Sequence, residues 1–171
     1  EAICKDITLY LDENGTAGII TADIDNGSGD NCGLDSIYLS KYNFDCNDVG
    51  ANLVTLTIKD KFGLAETCES VVTVIDSIPP VVNCVPPYVI QLDENAQYAL
   101  TVEEIHVNSF DECGIDTLYL DIYDLNCDHI GETPVTLTAV DVNGNSSYCQ
   151  TMLTIWGNTP PEALNDSAIT L

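Results

Sequence analysis

Apolar and polar residues alternate along this chain in runs too short for helices. Ile7-Thr8-Leu9-Tyr10-Leu11 places apolar side chains at every second position, the period of a half-buried strand. Asp12-Glu13-Asn14-Gly15 follows. Its Asn-Gly pair favours the left-handed backbone of a tight hairpin turn, so Gly18 to Ile24 is predicted as the returning strand. Leu34 to Tyr42, Leu53 to Lys59 and Glu66 to Ile75 are predicted as three more. Val, Ile, Thr and Tyr dominate these runs, and Gly, Asn, Asp and Pro punctuate them, as strand and turn chemistry requires. No convincing helical period occurs. Short strands with turn signals every 8 to 12 residues or so imply an all-β, immunoglobulin-like sandwich of about 80 residues.

The pattern occurs twice. Cys4, Cys32, Cys46 and Cys68 recur as Cys84, Cys113, Cys127 and Cys149, the first at a shift of 80 residues and the others at 81. Leu11-Asp12-Glu13-Asn14 recurs as Leu92-Asp93-Glu94-Asn95, Asp30, Cys32, Gly33 and Asp35 as Asp111, Cys113, Gly114 and Asp116, Tyr38-Leu39 as Tyr119-Leu120, Val54-Thr55-Leu56-Thr57 as Val135-Thr136-Leu137-Thr138, and Pro79-Pro80 as Pro160-Pro161. Chance does not align four cysteines and two proline pairs together. The expected organisation is a first repeat over 1–78, a second over 79–159, and over 160–171 the opening strand of a further repeat. That last segment, Glu162-Ala163-Leu164-Asn165-Asp166-Ser167-Ala168-Ile169-Thr170-Leu171, echoes Glu1 to Leu9 with one extra residue and no cysteine. The chain thus reads as a window on a longer array.

Charge narrows the partners. Acidic residues number 28 against 4 basic ones, a net charge of -24. Such a chain repels phosphate backbones and anionic membrane surfaces, so no nucleic acid and no direct membrane insertion are expected. At 45% hydrophobic residues in β-type runs it is not a disordered acidic tail. Divalent cations would relieve its self-repulsion, and Ca2+ is the first cofactor to consider.

Eight regularly spaced cysteines imply a disulfide framework and an oxidising compartment. No signal peptide and no run of about 18 apolar residues is visible, so Glu1 is expected to open a mature or excised segment. Four cysteines per repeat allow three connectivities. The favoured set is Cys32–Cys46 and Cys4–Cys68, then Cys113–Cys127 and Cys84–Cys149, with no free thiol. The first type closes a short hairpin-like loop, and the second ties the entering strand to the last. By loop entropy these contribute roughly 3 and 4 kcal/mol, offsetting the small core of a unit this size.

These residues resemble the hyalin repeat (HYR) domain of long bacterial surface proteins over almost the whole chain. The matching features are a cysteine just after a Pro-Pro linker, the turn Val49-Gly50 or Ile130-Gly131 before a Val-Thr-Leu-Thr strand, and a closing Asp-x-x-Gly turn before the last cysteine. Asp141-Val142-Asn143-Gly144-Asn145 matches that turn best. Asp60-Lys61-Phe62-Gly63 departs from it, with Leu64 in place of the final Asn. The extra pair Cys32 and Cys46 is similar to variant repeats of giant adhesins and gliding-motility surface proteins. The segment from Pro160 resembles the opening of bacterial cadherin-like repeats, where Asn165-Asp166 would suit calcium. The resemblance implies an extracellular, immunoglobulin-like module of cell adhesion on a bacterial cell surface, its partners being neighbouring repeats of the same chain and a surface ligand, polysaccharide or protein.

Catalytic chemistry finds no constellation. His106 and His129 stand alone, and there is no Gly-x-Ser-x-Gly elbow and no cysteine pair at zinc spacing. Not being an enzyme, the chain is expected to act as a calcium-stiffened spacer and adhesion stalk. The alternative is a carbohydrate- or protein-binding accessory domain of a secreted multidomain hydrolase, which an exposed aromatic cluster would support; only 7% of residues are aromatic. The best metal signal is Asp23-Ile24-Asp25-Asn26-Gly27-Ser28-Gly29-Asp30. Asp23, Asp25 and Asp30 on a Gly-rich loop suit an ion that takes six to eight oxygens; the competing reading is a solvated acidic turn. A second candidate is Asp76, just before Pro79-Pro80, whose counterpart is Gly157. Trp156 is read as a plug at a domain junction ahead of a sugar-stacking residue.

Overall fold

In the computed structural model, residues 1–158 are described. The segment 160–171, expected to open a further repeat, lies outside the described residues. Contacts divide the chain into two units. The first is Glu1–Pro79 with Asp111–Ile115 and Asp141–Asn145; the second is Pro80–Phe110, Asp116–Val140 and Ser146 onward. Two loops of the second sequence copy therefore belong to the first unit.

The first unit holds β1 (Ile7–Tyr10), β2 (Thr16–Gly18), a single helical turn α1 (Thr21–Ile24), β3 (Leu34–Leu39), β4 (Asn43–Asp45), β5 (Gly50–Asp60) and β6 (Ala65–Ile75). One sheet runs β1-β6-β5-β3 and the other pairs β2 with β4. Strands β3, β5 and β6 take the places of C, F and G of an immunoglobulin-type sandwich, and β2 and β4 those of its facing sheet. Alternate residues face inward. Val54, Leu56 and Ile58 of β5 and Val72 and Val74 of β6 are buried against Ile24, Leu39 and Phe44, while Leu53 is 62% exposed. Buried Ser70 donates its hydroxyl to the Lys5 carbonyl at 2.7 Å.

The second unit repeats this with β7 (Tyr88–Gln91), β8 (Tyr98–Ala99), α2 (Val102–Ile105), β9 (Ile115–Leu120), β10 (Asp124–Leu125), β11 (Gly131–Asp141) and β12 (Ser146–Trp156). Its sheets are β7-β12-β11-β9 and β8-β10. Val135, Leu137, Leu153 and Ile155 pack on Ile105, Leu120 and Leu125. Each unit is thus all-β, an immunoglobulin-like sandwich with a disulfide across it.

Three expectations from the sequence need correction. The Asp12 turn forms, with Gly15 at φ +67° and the Asp12 carboxylate accepting from the Asn14 and Thr16 N–H groups at 2.9 and 3.1 Å. It does not make a hairpin. β1 pairs in parallel with β6, Ile7 opposite Val72, and the turn carries the chain to the other sheet, where β2 pairs with β4. Second, the strand expected over Gly18 to Ile24 breaks after Gly18 into α1. Asp23 closes that turn by accepting from the Ile20 N–H at 2.7 Å. Third, the run Leu34 to Tyr42 ends at Leu39, and β4 follows in the facing sheet.

That last change redirects the cysteines. Cys4–Cys68 and Cys84–Cys149 form, with Cα atoms 5.7 and 5.8 Å apart. Cys32–Cys46 and Cys113–Cys127 do not. Cys32 precedes β3 and Cys46 follows β4, and these strands belong to different sheets. The run between them is therefore not the hairpin whose loop their bond was expected to close. Cys113 and Cys127 likewise flank β9 and β10, which lie in different sheets. Cys46 bonds Cys113 instead, at a Cα distance of 5.1 Å, and Cys32 and Cys127 are exposed free thiols.

The alternation on β5 sets a direct test. Leu56→Ala, at a fully buried site, is expected to cost the first unit about 2–5 kcal/mol. Leu53→Ala should change it by less than about 0.5 kcal/mol. Urea unfolding of the two variants beside the parent chain measures both.

Candidate functional site

Asp23, Asp25 and Asp30 of the Gly-rich loop do not form a group of three ligand atoms within 4.8 Å of one another. Asp23 is committed to α1. The Asp25 carboxylate accepts from the Ser28 N–H at 2.8 Å, and the Ser28 hydroxyl and backbone hold it below the usual carboxylate range. Asp30 accepts from the Cys32 N–H at 2.7 Å. Each acid serves its own turn, which is the ordinary use of Asp in loops. Among the described residues, the one group of three or more potential ligands within 4.8 Å of one another is Asp76, Asp111 and Cys113.

Asp76 sits just past β6 and is 7% exposed. One carboxylate oxygen accepts from the Ile78 N–H at 3.0 Å and the other from Asn143 Nδ2 at 2.7 Å. Its carbonyl accepts from Asn145 Nδ2 at 3.3 Å. The turn that supplies these amides begins at buried Asp141, whose Oδ1 accepts from the Asn143 and Asn145 N–H groups at 2.9 and 2.8 Å. Asp111 opens a third turn, accepting from the Cys113 and Gly114 N–H groups at 2.8 and 3.1 Å. Val142 N–H donates to the Gly114 carbonyl and joins these two turns. Asp76, Asp111, Asp141 and both asparagines all lie within the first unit.

Electrostatically this cluster lacks a counter-charge. The four lysines of the chain, Lys5, Lys41, Lys59 and Lys61, all belong to the first copy, and there is no arginine. Neither salt bridge among the described residues involves Asp76, Asp111 or Asp141. Burial pushes the Asp111 carboxyl above its ordinary range, and the charges of Asp141 and Asp76 push it the same way against the N–H groups of Cys113 and Gly114. With Cys113 spent in a disulfide and offering no thiolate, the ligand atoms that remain are the Asp76 and Asp111 carboxylate oxygens. That suits a hard divalent cation and not zinc.

Asp76 was legible in the sequence; Asp111 and Asp141 were not recognised as its companions. A signal existed. Asp60 makes the same turn, accepting from the Phe62 and Leu64 N–H groups at 2.8 Å, yet the side chains there are apolar and 79% and 73% exposed. Asn143 and Asn145 replace them only where Asp76 is within reach. The two histidines serve turns: His106 Nε2 accepts from the Ser109 N–H at 2.9 Å and His129 Nδ1 from the Asn126 N–H at 3.1 Å. Trp156 is 59% exposed at the end of β12, opposite Gln91. Tyr148 lies on the same outward face, but eight residues of strand put about 27 Å between them, too far to stack one sugar ring.

No family model matches the chain. Among solved structures it is similar to human protocadherin-24 EC1-2 at 12% identity and TM-score 0.42, covering 90% of this chain and 95% of that one. An I-band fragment of titin is 16% identical at TM-score 0.38, covering 92% and 65%. The protocadherin gamma B7 extracellular cadherin domains 1-4 are 15% identical at TM-score 0.35, covering 92% and 52%, so this chain spans about half of that one. At scores of this size the similarities carry no functional inference.

The raised pKa of Asp111 has a sign that can be read in solution. The folded chain binds this proton more readily than the unfolded chain, so its contribution to stability falls as pH rises through the folded value. Asp111→Asn keeps an acceptor for Cys113 and Gly114 and removes the charge. In the presence of chelator it is expected to melt at a higher temperature than the parent at pH 7. The gap should close as pH falls through the carboxylate range. A pH series of thermal melts reads it.

Proposed function

We infer that this chain is a non-enzymatic, extracellular repeat module of a long bacterial cell-surface adhesin, a calcium-stiffened spacer and adhesion stalk with a place in gliding motility. The observation that carries the reading is the meeting of Asp76, Asp111 and Asp141 without a cationic side chain. The Asp76 and Asp111 carboxylates come within ligand distance of each other, the Asp141 charge acts on Asp111, and two asparagine amides border Asp76. An Asn amide turned over presents its oxygen where its NH₂ stood, so Asn143 and Asn145 can donate to Asp76 or offer oxygen beside it. Calcium takes six to eight such oxygens at flexible geometry. The hyalin-repeat features of the sequence, the duplication and the disulfides support a place outside the cell, and the distance between Tyr148 and Trp156 speaks against a sugar platform.

An ion that binds only the folded state stabilises it by about 2.7 kcal/mol at a hundred times its dissociation constant. Millimolar calcium is expected to raise the melting temperature more than magnesium, which demands tighter octahedral geometry, and more than sodium chloride of matched ionic strength, which only screens. Asp76→Asn with Asp141→Asn should remove the calcium increment. Asp23→Asn with Asp25→Asn should keep it. Equal shifts from calcium and matched salt would refute a bound ion, and loss of the increment in the second pair alone would move the site to the Gly-rich loop.

A further inference from the structure

A shift of 81 residues carries Cys32 onto Cys113 and Cys46 onto Cys127. The bond that forms, Cys46 to Cys113, therefore joins the later of these positions in one copy to the earlier of them in the next, 67 residues on. Cys32 and Cys127 are the same two positions left over. Stepping 67 residues back from Cys32 or forward from Cys127 leaves the 171-residue chain, and both are exposed thiols.

Their frames match those of the bonded pair. At Cys113 the Asp111 carboxylate accepts the cysteine N–H at 2.8 Å and Gly114 follows at φ +105°. At Cys32 the Asp30 carboxylate accepts at 2.7 Å and Gly33 follows at φ +88°. Cys46 opens a 3-10 turn capped by the Asp45 side chain, which accepts from the Asn47 N–H. Cys127 opens another, capped by Asn126 accepting from the Asp128 N–H.

The surface beside Cys32 is prepared as well. A groove there is lined by Asp30, Leu34, Asp60 and Leu64. Their counterparts in the second copy are Asp111, Ile115, Asp141 and Asn145, all within the first unit, where Asp111 comes within ligand distance of Asp76 and Asn145 donates to the Asp76 carbonyl. One neighbour differs. A Cβ on Gly15 would lie 2.8 Å from the Cys46 sulfur, and Ala96 carries that atom in the second copy at φ +58°.

We propose that Cys32 and Cys127 are the two halves of a disulfide between copies: Cys127 of one copy bonds Cys32 of another, reproducing Cys46–Cys113 from repeat to repeat. The two thiols give up two protons and two electrons to a disulfide of the glutathione class, which leaves as two thiols. The partner is a further copy of this repeat, and a second molecule of this chain supplies one in solution.

The full 171-residue chain, incubated with oxidised and reduced glutathione, is expected to give covalent oligomers on non-reducing electrophoresis. Peptide mapping should show Cys127–Cys32 links with Cys46–Cys113 intact. Cys32→Ser and Cys127→Ser change exposed positions, and each variant alone is expected to stay monomeric. Mixed, they should form a dimer and nothing larger, in about tenfold higher yield than either alone, because matched surfaces raise the effective concentration of the thiol pair. The proposal is overturned if each variant dimerises alone as readily as the mixture. It is also overturned if the chain stays monomeric with both thiols capped by glutathione, or if mapping finds Cys32 bonded to Cys46 or to Cys127 of its own chain.

Discussion

Two facing sheets, about 10 Å apart, decide which parts of each unit can be joined. Neighbours in sequence that fall on different sheets cannot hydrogen-bond strand to strand, however close their numbers. The Asp12 turn therefore hands the chain over from β1 to β2 without pairing them, and β1 finds its partner in β6 at the other end of the copy. The same division leaves Cys32 and Cys46 at the ends of strands in different sheets. Cys4 reaches Cys68 because the entering segment, bridged to Asp25, comes to 5.7 Å of β6.

Within that frame the acidic surplus is managed by the backbone. Asp12, Asp25, Asp30, Asp60, Asp93, Asp111 and Asp141 each accept N–H groups two to four residues further on. A carboxylate fed by peptide donors is stabilised without a lysine, so a chain with so few cations can still order its turns. The arrangement fails where three such turns converge. At Asp76, Asp111 and Asp141 the backbone donors are used up locally, and burial together with the charges of Asp141 and Asp76 makes Asp111 reluctant to ionise.

Much of this was legible in the sequence. The 81-residue shift identifies both copies, and the alternation of Val54, Leu56 and Ile58 gives the inward face of β5. What escaped depends on pairing between distant strands. Thr101-x-x-Glu104 has the form of a capping box, and Glu104 does accept from the Thr101 N–H at 2.8 Å; read that way, it would have announced α2 and, by the repeat, α1. The break between β3 and β4 left no comparable mark. The Leu34 to Tyr42 run keeps its strand character while the chain changes sheets. Cysteine pairing was misjudged for that reason, since the short loop was taken for a hairpin and its two strands lie in different sheets. For the acidic cluster, Asp76 was visible beside its prolines, but Asp141 looked like any turn aspartate until Asn143 and Asn145 were seen to reach back to it.

The two long staples have a mechanical consequence. A pull along the chain passes from Cys4 directly to Cys68 and from Cys84 directly to Cys149, so sequence separations of 64 and 65 residues are withheld from extension. Even with every hydrogen bond broken, about three quarters of the 171 residues cannot lengthen, at roughly 3.4 Å for each residue withheld. Oxidised, the protein is a tether of nearly fixed contour; reduced, the same polypeptide could run out several-fold before drawing taut.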